Sequence, residues 1–153
     1  MGDAVKVALE PFSRWCREAL ERGLFEAHWR EVGEDHERIP LELDLEKLLA
    51  LERAGALAGF SVREDDGGLD GYAMMILSTH LNYKSHVFAF GHAIYIAPGH
   101  RGHGLELIRL IEREMRGRGV SKIVFNAKDR TGFGAVLAAL GYCGMEQAWG
   151  KLL

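Results

Sequence analysis

Ile94-Tyr95-Ile96-Ala97-Pro98-Gly99-His100-Arg101-Gly102-His103-Gly104-Leu105 is the stretch that decides how this chain is read. An apolar strand runs into a short loop of Pro, Gly, His and Arg, and an amphipathic helix opens on two spaced glycines. That order points a helix N-terminus, rich in unpaired backbone N–H groups, out of the end of a strand. Such a terminus is an anion site, most obviously for phosphate, because the N–H donors and the helix dipole act together. Glycine lets the backbone approach a diphosphate closely, since it carries no Cβ.

Working outward, the period of apolar residues changes along the chain. Val5 to Leu9 can form a short first strand, although the helical pattern after Pro11 can begin earlier. From Pro11 to Val32, Phe12, Trp15, Cys16, Leu20, Leu24, Phe25 and Trp29 recur at helical spacing, with Gly23 as a break. Gly33 to Leu43 is polar and reads as a loop. Asp44 caps a helix over Leu45 to Ala54, which Gly55 ends. Leu57 to Arg63, Gly71 to Thr79 and Val87 to Ile96 then read as strands. Asp65-Asp66-Gly67-Gly68 makes a hairpin turn, and Leu81-Asn82-Tyr83-Lys84-Ser85 a looser one. With no helix between them these strands must pair antiparallel. A helix from Gly104 to Arg116 follows, with Ile108, Ile111 and Met115 on one face, and then a strand over 122–127. That strand is parallel to 87–96. A helix over Phe133 to Leu140 ends at Gly141, and Cys143 to Leu152 can supply final strand segments.

The order α-α-β-β-β-α-β-α-β predicts an α/β fold: a mixed, mostly antiparallel sheet with helices on both faces, in one domain spanning 1–153. A dinucleotide fold is excluded, because its glycines would follow the first strand of a βαβαβ run and read GxGxxG. A P-loop is excluded because no Lys-Ser/Thr follows the glycines. The 153 residues are 48% hydrophobic and 27% charged, the make-up of an ordinary globule. A net charge of -3 with mixed signs argues against a nucleic-acid footprint. Cys16 and Cys143 lie far apart with no CxxC spacing, which fits free thiols in a cytoplasmic location. Neither a signal peptide nor a membrane span is expected from the apolar runs.

At Arg101-Gly102-His103-Gly104-Leu105-Glu106 the sequence resembles the acetyl-CoA motif Arg/Gln-x-x-Gly-x-Gly/Ala of the GNAT superfamily of N-acetyltransferases. Ile94-Tyr95-Ile96-Ala97-Pro98 is similar to the strand-to-loop segment of that family, and Leu140-Gly141-Tyr142 to its Leu-Gly-Phe/Tyr signature. The resemblance runs from about Leu57 to the end. His28-Trp29 and His80-Leu81-Asn82-Tyr83-Lys84 are similar to features of phage-associated members. The resemblance implies that backbone N–H groups from Gly102 through His103, Gly104 and Leu105 to Glu106 hold the CoA diphosphate, with Arg101 beside them. The pantetheine arm would lie along Tyr95 and Ile96 like an added strand, and Asn126 on the next parallel strand would face the splay that receives the thioester. An amine of a small molecule or a protein would then attack the thioester directly, while the protein orients and deprotonates it.

Two positions depart from the family pattern. The sixth motif residue, normally Gly or Ala, is Glu106, whose carboxylate suits an empty helix terminus and competes with a diphosphate there. Four residues before the Gly of Leu-Gly-Tyr, where the family carries a general-acid Tyr, stands Leu137. These departures keep open a non-catalytic acyl-CoA-binding or interaction module, and a purely structural use of the fold. His92, four residues before Ile96, stands where many members carry the base; its alternative is a buried strand histidine sharing a face with Phe90 and Ile94. His28, Trp29 and Tyr83 are candidates for the acceptor side, with core, rim and hairpin-tip readings beside them. His100-x-x-His103 lacks an evident third ligand, so no metal is expected. A homodimer is compatible with the sequence.

Overall fold

The computed structural model describes residues 4–153. Five strands form one sheet in the order β1-β2-β3-β4-β5. They are β1 (Val5–Leu9), β2 (Leu57–Glu64), β3 (Leu69–His80), β4 (Tyr83–Ile96) and β5 (Val120–Val124). The first four pair antiparallel and β5 runs parallel to β4, the mixed arrangement expected of consecutive hairpins followed by one helical crossover.

Helices cover both faces. On one lie α1 (Phe12–Glu21), α2 (Leu24–Val32) and α3 (Leu45–Arg53), with a core of Phe12, Trp15, Phe25, Leu48, Tyr72, Met74 and Tyr95. On the other lies α4 (Gly104–Gly117), which buries Leu107, Ile111 and Met115 against Phe60, Val62, Met75 and Ile96. Gly23 separates α1 from α2 with φ 67°, a left-handed conformation that a side chain resists. The Asp44 carboxylate caps α3 by accepting from Lys47 N at 2.9 Å.

A half-buried ion network ties the N-terminal segment to the sheet. Arg63 on β2 donates through two guanidinium nitrogens to the Glu10 carboxylate at 2.9 and 2.8 Å and through a third to Glu18 at 2.8 Å. The other Glu18 oxygen accepts from Leu69 N at 2.7 Å. The guanidinium holds the Glu10 carboxyl below the usual carboxylate range.

Four expectations need correcting. The β3–β4 turn is tight rather than loose: His80 pairs with Tyr83, only Leu81 and Asn82 lie between, and Asn82 N donates to His80 Nδ1 at 3.1 Å. Tyr83, Lys84 and Ser85 belong to the strand, and they are exposed because this end of the hairpin carries no helix over it. β5 covers 120–124 instead of 122–127, because Gly119, at φ 74°, turns the chain immediately after α4. Asn126 therefore lies beyond the strand in an exposed loop. Between β4 and α4 the loop is wound into a 3-10 helix over Pro98–His103. Residues 143–153 form no strand; after α5 (Phe133–Ala139) the chain continues without regular structure.

Candidate active site

The site grows from the place where β4 loses a neighbour. β5 pairs with β4 only over Val87 to Phe90, its last register partner being Val124. At the next position a Cβ on Gly91 would meet the Phe125 ring at 2.5 Å, so the ring lies where a side chain would stand. Past this wedge the two strands separate. From Gly91 to Ile96, β4 is paired only with β3, and its other edge presents backbone donors and acceptors without a ladder.

His92 sits at the start of this open edge. Met74 pairs with Ala93 and Met75 with Gly91, so His92 is the extra residue of a β-bulge and faces no partner on β3. The bulge turns it outward: His92 is exposed, which rules out the buried strand histidine of the alternative reading. Protein still crowds part of its ring, and this partial desolvation lowers its pKa, so the imidazole is neutral near pH 7.

An aromatic wall stands beside it. His28 on α2 stacks on Tyr95 at 5.1 Å between ring centres, and its Nδ1 lies 2.8 Å from the Tyr72 hydroxyl. Burial pushes the His28 pKa down to about 4, and the charges of His28 and His92 repel each other when both are protonated. Burial also raises the Tyr72 and Tyr95 hydroxyls, so both stay protonated. Trp29, half-buried, packs on His36 at 5.1 Å beyond the same helix. Tyr83 is not part of this group. It stacks near His80 and Phe88 at the far end of β4, about 30 Å of strand away from His92.

The opposite end of the open edge leads into the 3-10 segment and the start of α4. Ala97 N donates to Asp70 O at 2.9 Å, and the His100 imidazole pairs closely with the Asp70 carboxylate. With Glu64 these form the His/Asp/Glu group among the described residues whose donor atoms lie within 4.8 Å of one another. His103 is not in it, so the sequence spacing His100-x-x-His103 does not describe a ligand pair. Instead His103 Nδ1 meets Glu106 Oε2 at 3.2 Å across the first turn of α4. Arg101 turns away from the helix terminus: Nε donates to Ile96 O at 3.1 Å, and the guanidinium pairs closely with Glu31 of α2.

Around the terminus the glycines have no structural cause in the protein itself. Gly99, Gly102 and Gly104 all have negative φ, and a Cβ on any of them would meet no protein atom within 4 Å. The space left open lies outside the chain, at the mouth of the helix dipole. That arrangement fits a bulky anion seated against backbone N–H groups.

Leu137 on α5 is buried, and no hydroxyl replaces the general acid that the resemblance puts there. Tyr142 is half-buried; its hydroxyl donates to Glu112 Oε1 at 2.9 Å, and burial with this carboxylate raises its pKa. Sequence reasoning missed the bulge at His92, the Gly91–Phe125 wedge and the clasp between α2 and the loops. Lys128 reaches Glu34 at 2.9 Å, and Arg130 donates to Glu31 O and Gly33 O at 3.3 Å.

The family model described as the acetyltransferase (GNAT) family matches residues 21–142. The chain belongs to the GNAT family of acetyltransferases. Solved structures share the fold across nearly their whole length. A ribosomal-protein-alanine N-acetyltransferase from Brucella melitensis biovar Abortus 2308 is 21% identical with a TM-score of 0.71, covering 98% of this chain and 97% of its own. The aminoglycoside N-acetyltransferase AAC(6')-Iy, solved in complex with CoA, is 19% identical with a TM-score of 0.70 and coverage of 100% and 97%. Glucosamine-6-phosphate N-acetyltransferase from Arabidopsis thaliana is 9% identical with a TM-score of 0.70 and coverage of 98% and 99%. No curated protein matches the sequence. Among the described residues no helix is long and apolar enough to cross a membrane.

Proposed function

We propose that this chain is a single-domain, acetyl-CoA-dependent N-acetyltransferase that moves an acetyl group onto an amine. The observation that carries this reading is the open edge of β4 over Gly91–Ile96, which ends at three glycines whose missing Cβ atoms face no protein. Tyr95 and Ile96 offer backbone groups to the amides of the pantetheine arm, as a β-strand edge does to an added strand. The N–H groups of Gly102, His103, Gly104, Leu105 and Glu106 hold the diphosphate at the α4 terminus. Arg101 closes over it once released from Glu31. Asn126 is exposed in the loop past β5, two residues beyond the end of that strand, and is not assigned a contact to the thioester.

The bound thioester supplies the acetyl carbon at the splay. His92 accepts a proton from the attacking amine, a role its exposure and lowered pKa suit because the neutral form is the base. The His28–Tyr72 pair keeps the adjoining wall uncharged, and Trp29 with His36 bounds the acceptor side. Tyr83 has no part in this reading. The departing thiolate takes its proton from solvent, as Tyr142 is held by Glu112 and Leu137 has no proton to give.

The relatives act on different amines by their names, so the acceptor is placed no more finely than an amine of a small molecule or a protein. Free cysteines, one half-buried and one exposed, are compatible with a cytoplasmic setting. The missing hydroxyl at Leu137 favours, as a second reading, a module that binds acyl-CoA without turnover. A thermal-shift titration with CoA, followed by acetyl-CoA consumption across a panel of primary amines, tests both. Stabilisation with turnover supports the enzyme, stabilisation without turnover supports the binding module, and no stabilisation overturns both.

A further inference from the structure

Three side chains able to hold a metal ion converge where β4 passes into the 3-10 segment. Glu64 ends β2, Asp70 is the second residue of β3, and His100 belongs to the 3-10 segment itself. One donor atom from each lies within 4.8 Å of the other two. His100 Nδ1 faces both carboxylates: it pairs closely with Asp70 and stands 4.0 Å from Glu64 Oε1. A β-bulge aims Asp70 at this point. Val62 pairs with Gly71 and Arg63 with Leu69, so Asp70 is the extra residue on β3 and faces no partner on β2.

The charges of this group do not balance. Asp70 is only 8% exposed, and burying a carboxylate to that degree costs stability unless a cation accompanies it. Among the described residues neither Glu64 nor Asp70 forms an ion pair with Lys or Arg; His100 is the partner of both. Arg63, next to Glu64 in the chain, is engaged by Glu10 and by Glu18 of α1. A protonated His100 would offset one of the two negative charges. A divalent cation beside a neutral imidazole offsets both.

We infer that Glu64, Asp70 and His100 bind a divalent transition-metal ion of the Zn²⁺ class, which fastens the 3-10 segment to β2 and β3. The donor set decides the class. One imidazole nitrogen with two carboxylate oxygens suits Zn²⁺ and its neighbours, whereas Mg²⁺ and Ca²⁺ favour oxygen alone. Ligands about 2.1 Å from a tetrahedral ion stand about 3.4 Å apart, so the half-buried Glu64 side chain has to move by about 1 Å. Three protein ligands leave the fourth position to water. The partners that His100 lacks in its own stretch of sequence come from two strands much earlier in the chain.

The test is titration of the full chain, stripped with a chelator and then freed of it, with Zn²⁺ by calorimetry and with Co²⁺ by visible absorption. The expected result is one equivalent of Zn²⁺ bound with a Kd of about 10 µM or below, and no comparable binding of Mg²⁺. Zn²⁺ at about a hundred times its Kd should raise Tm by about 5 °C or more. Asp70→Asn and His100→Ala should each weaken Zn²⁺ binding about tenfold or more and remove the Co²⁺ absorption. If either variant fails to fold, Glu64→Gln changes a half-buried side chain at the sheet end and should weaken binding about tenfold in its place. His86→Ala and Cys143→Ser, which remove an exposed imidazole and an exposed thiol elsewhere, should leave the affinity as it was. Absence of stoichiometric Zn²⁺ binding, or binding that survives Glu64→Gln and His100→Ala, overturns the inference.

Discussion

The two halves of β4 follow one strand but obey different rules. From Val87 to Phe90 the strand is held on both sides, by β3 and by β5, and Ala89 is buried in the core under α4. From Gly91 to Ile96 it is held on one side only, a bulge interrupts the alternation at His92, and the free edge runs to the start of α4. The first half is a structural strand of ordinary kind. The second half leaves backbone groups unpaired beside a neutral imidazole and a helix terminus, an arrangement a folded chain keeps only where something else completes it. Here the difference between structure and site is whether a ladder is closed.

The comparison breaks first at His92. If the open half carries the base, His92→Ala should lower turnover about a hundredfold or more while acetyl-CoA affinity stays nearly constant. The pH profile gives the sign. Burial places the folded pKa below the ordinary 6.5, so the active neutral form dominates at pH 7 and the rate falls as pH drops through that lowered value. The variant should lose this acid limb. A variant that keeps both its rate and its limb would make His92 a bystander.

The wedge that separates the halves is tested by Gly91→Ala. The added Cβ meets the Phe125 ring, so the ring must move, and overpacking of this kind destabilises by about 1–3 kcal/mol. Phe125→Ala in the same chain should recover most of that loss, giving a coupling in a double-mutant cycle of chemical denaturation midpoints. Additive effects would mean that the ring does not hold the strands apart.

Glu106 gives the smallest effect. Its carboxylate stands in the first turn of α4, paired with His103, where it also faces any anion at the terminus. Glu106→Ala should tighten CoA binding several-fold, more at low salt than at high salt, because screening weakens the repulsion in the parent. Equal calorimetric affinities at both salt concentrations would show that the carboxylate, turned toward His103, does not repel the ligand.

Much of this was legible in the sequence because it rests on local pattern. The change from helical to alternating period located the sheet, Gly23 and Asp44 located helix boundaries, and the absence of crossovers fixed antiparallel pairing of β2, β3 and β4. The glycines after Ile96 announced the helix terminus. What escaped was set by contacts distant in sequence. The bulge at His92 depends on the register with Met74 and Met75, and the end of β5 depends on Phe125 meeting Gly91. Arg101 carries nothing in its local sequence that points to Glu31, seventy residues earlier. Asn126 reads as a strand residue because an apolar run near 123 looks the same in sequence whether or not a neighbouring strand is within reach. Tyr83 reads as part of a polar turn because exposed strand residues at a hairpin tip carry the same polar composition as a loop.

The central claim, that CoA completes the open half of β4 and the α4 terminus, is tested most directly by backbone amide resonances during titration with CoA. The account predicts shifts and slowed hydrogen exchange for amides from Ala93 to Ile96 and from Gly102 to Glu106, with Val87 to Phe90 left as they were. Gly104→Val should abolish the second group of changes and weaken binding at least tenfold, because its side chain would fill the space now open at the terminus. Changes concentrated elsewhere, or full-strength binding by the Gly104→Val chain, would contradict it.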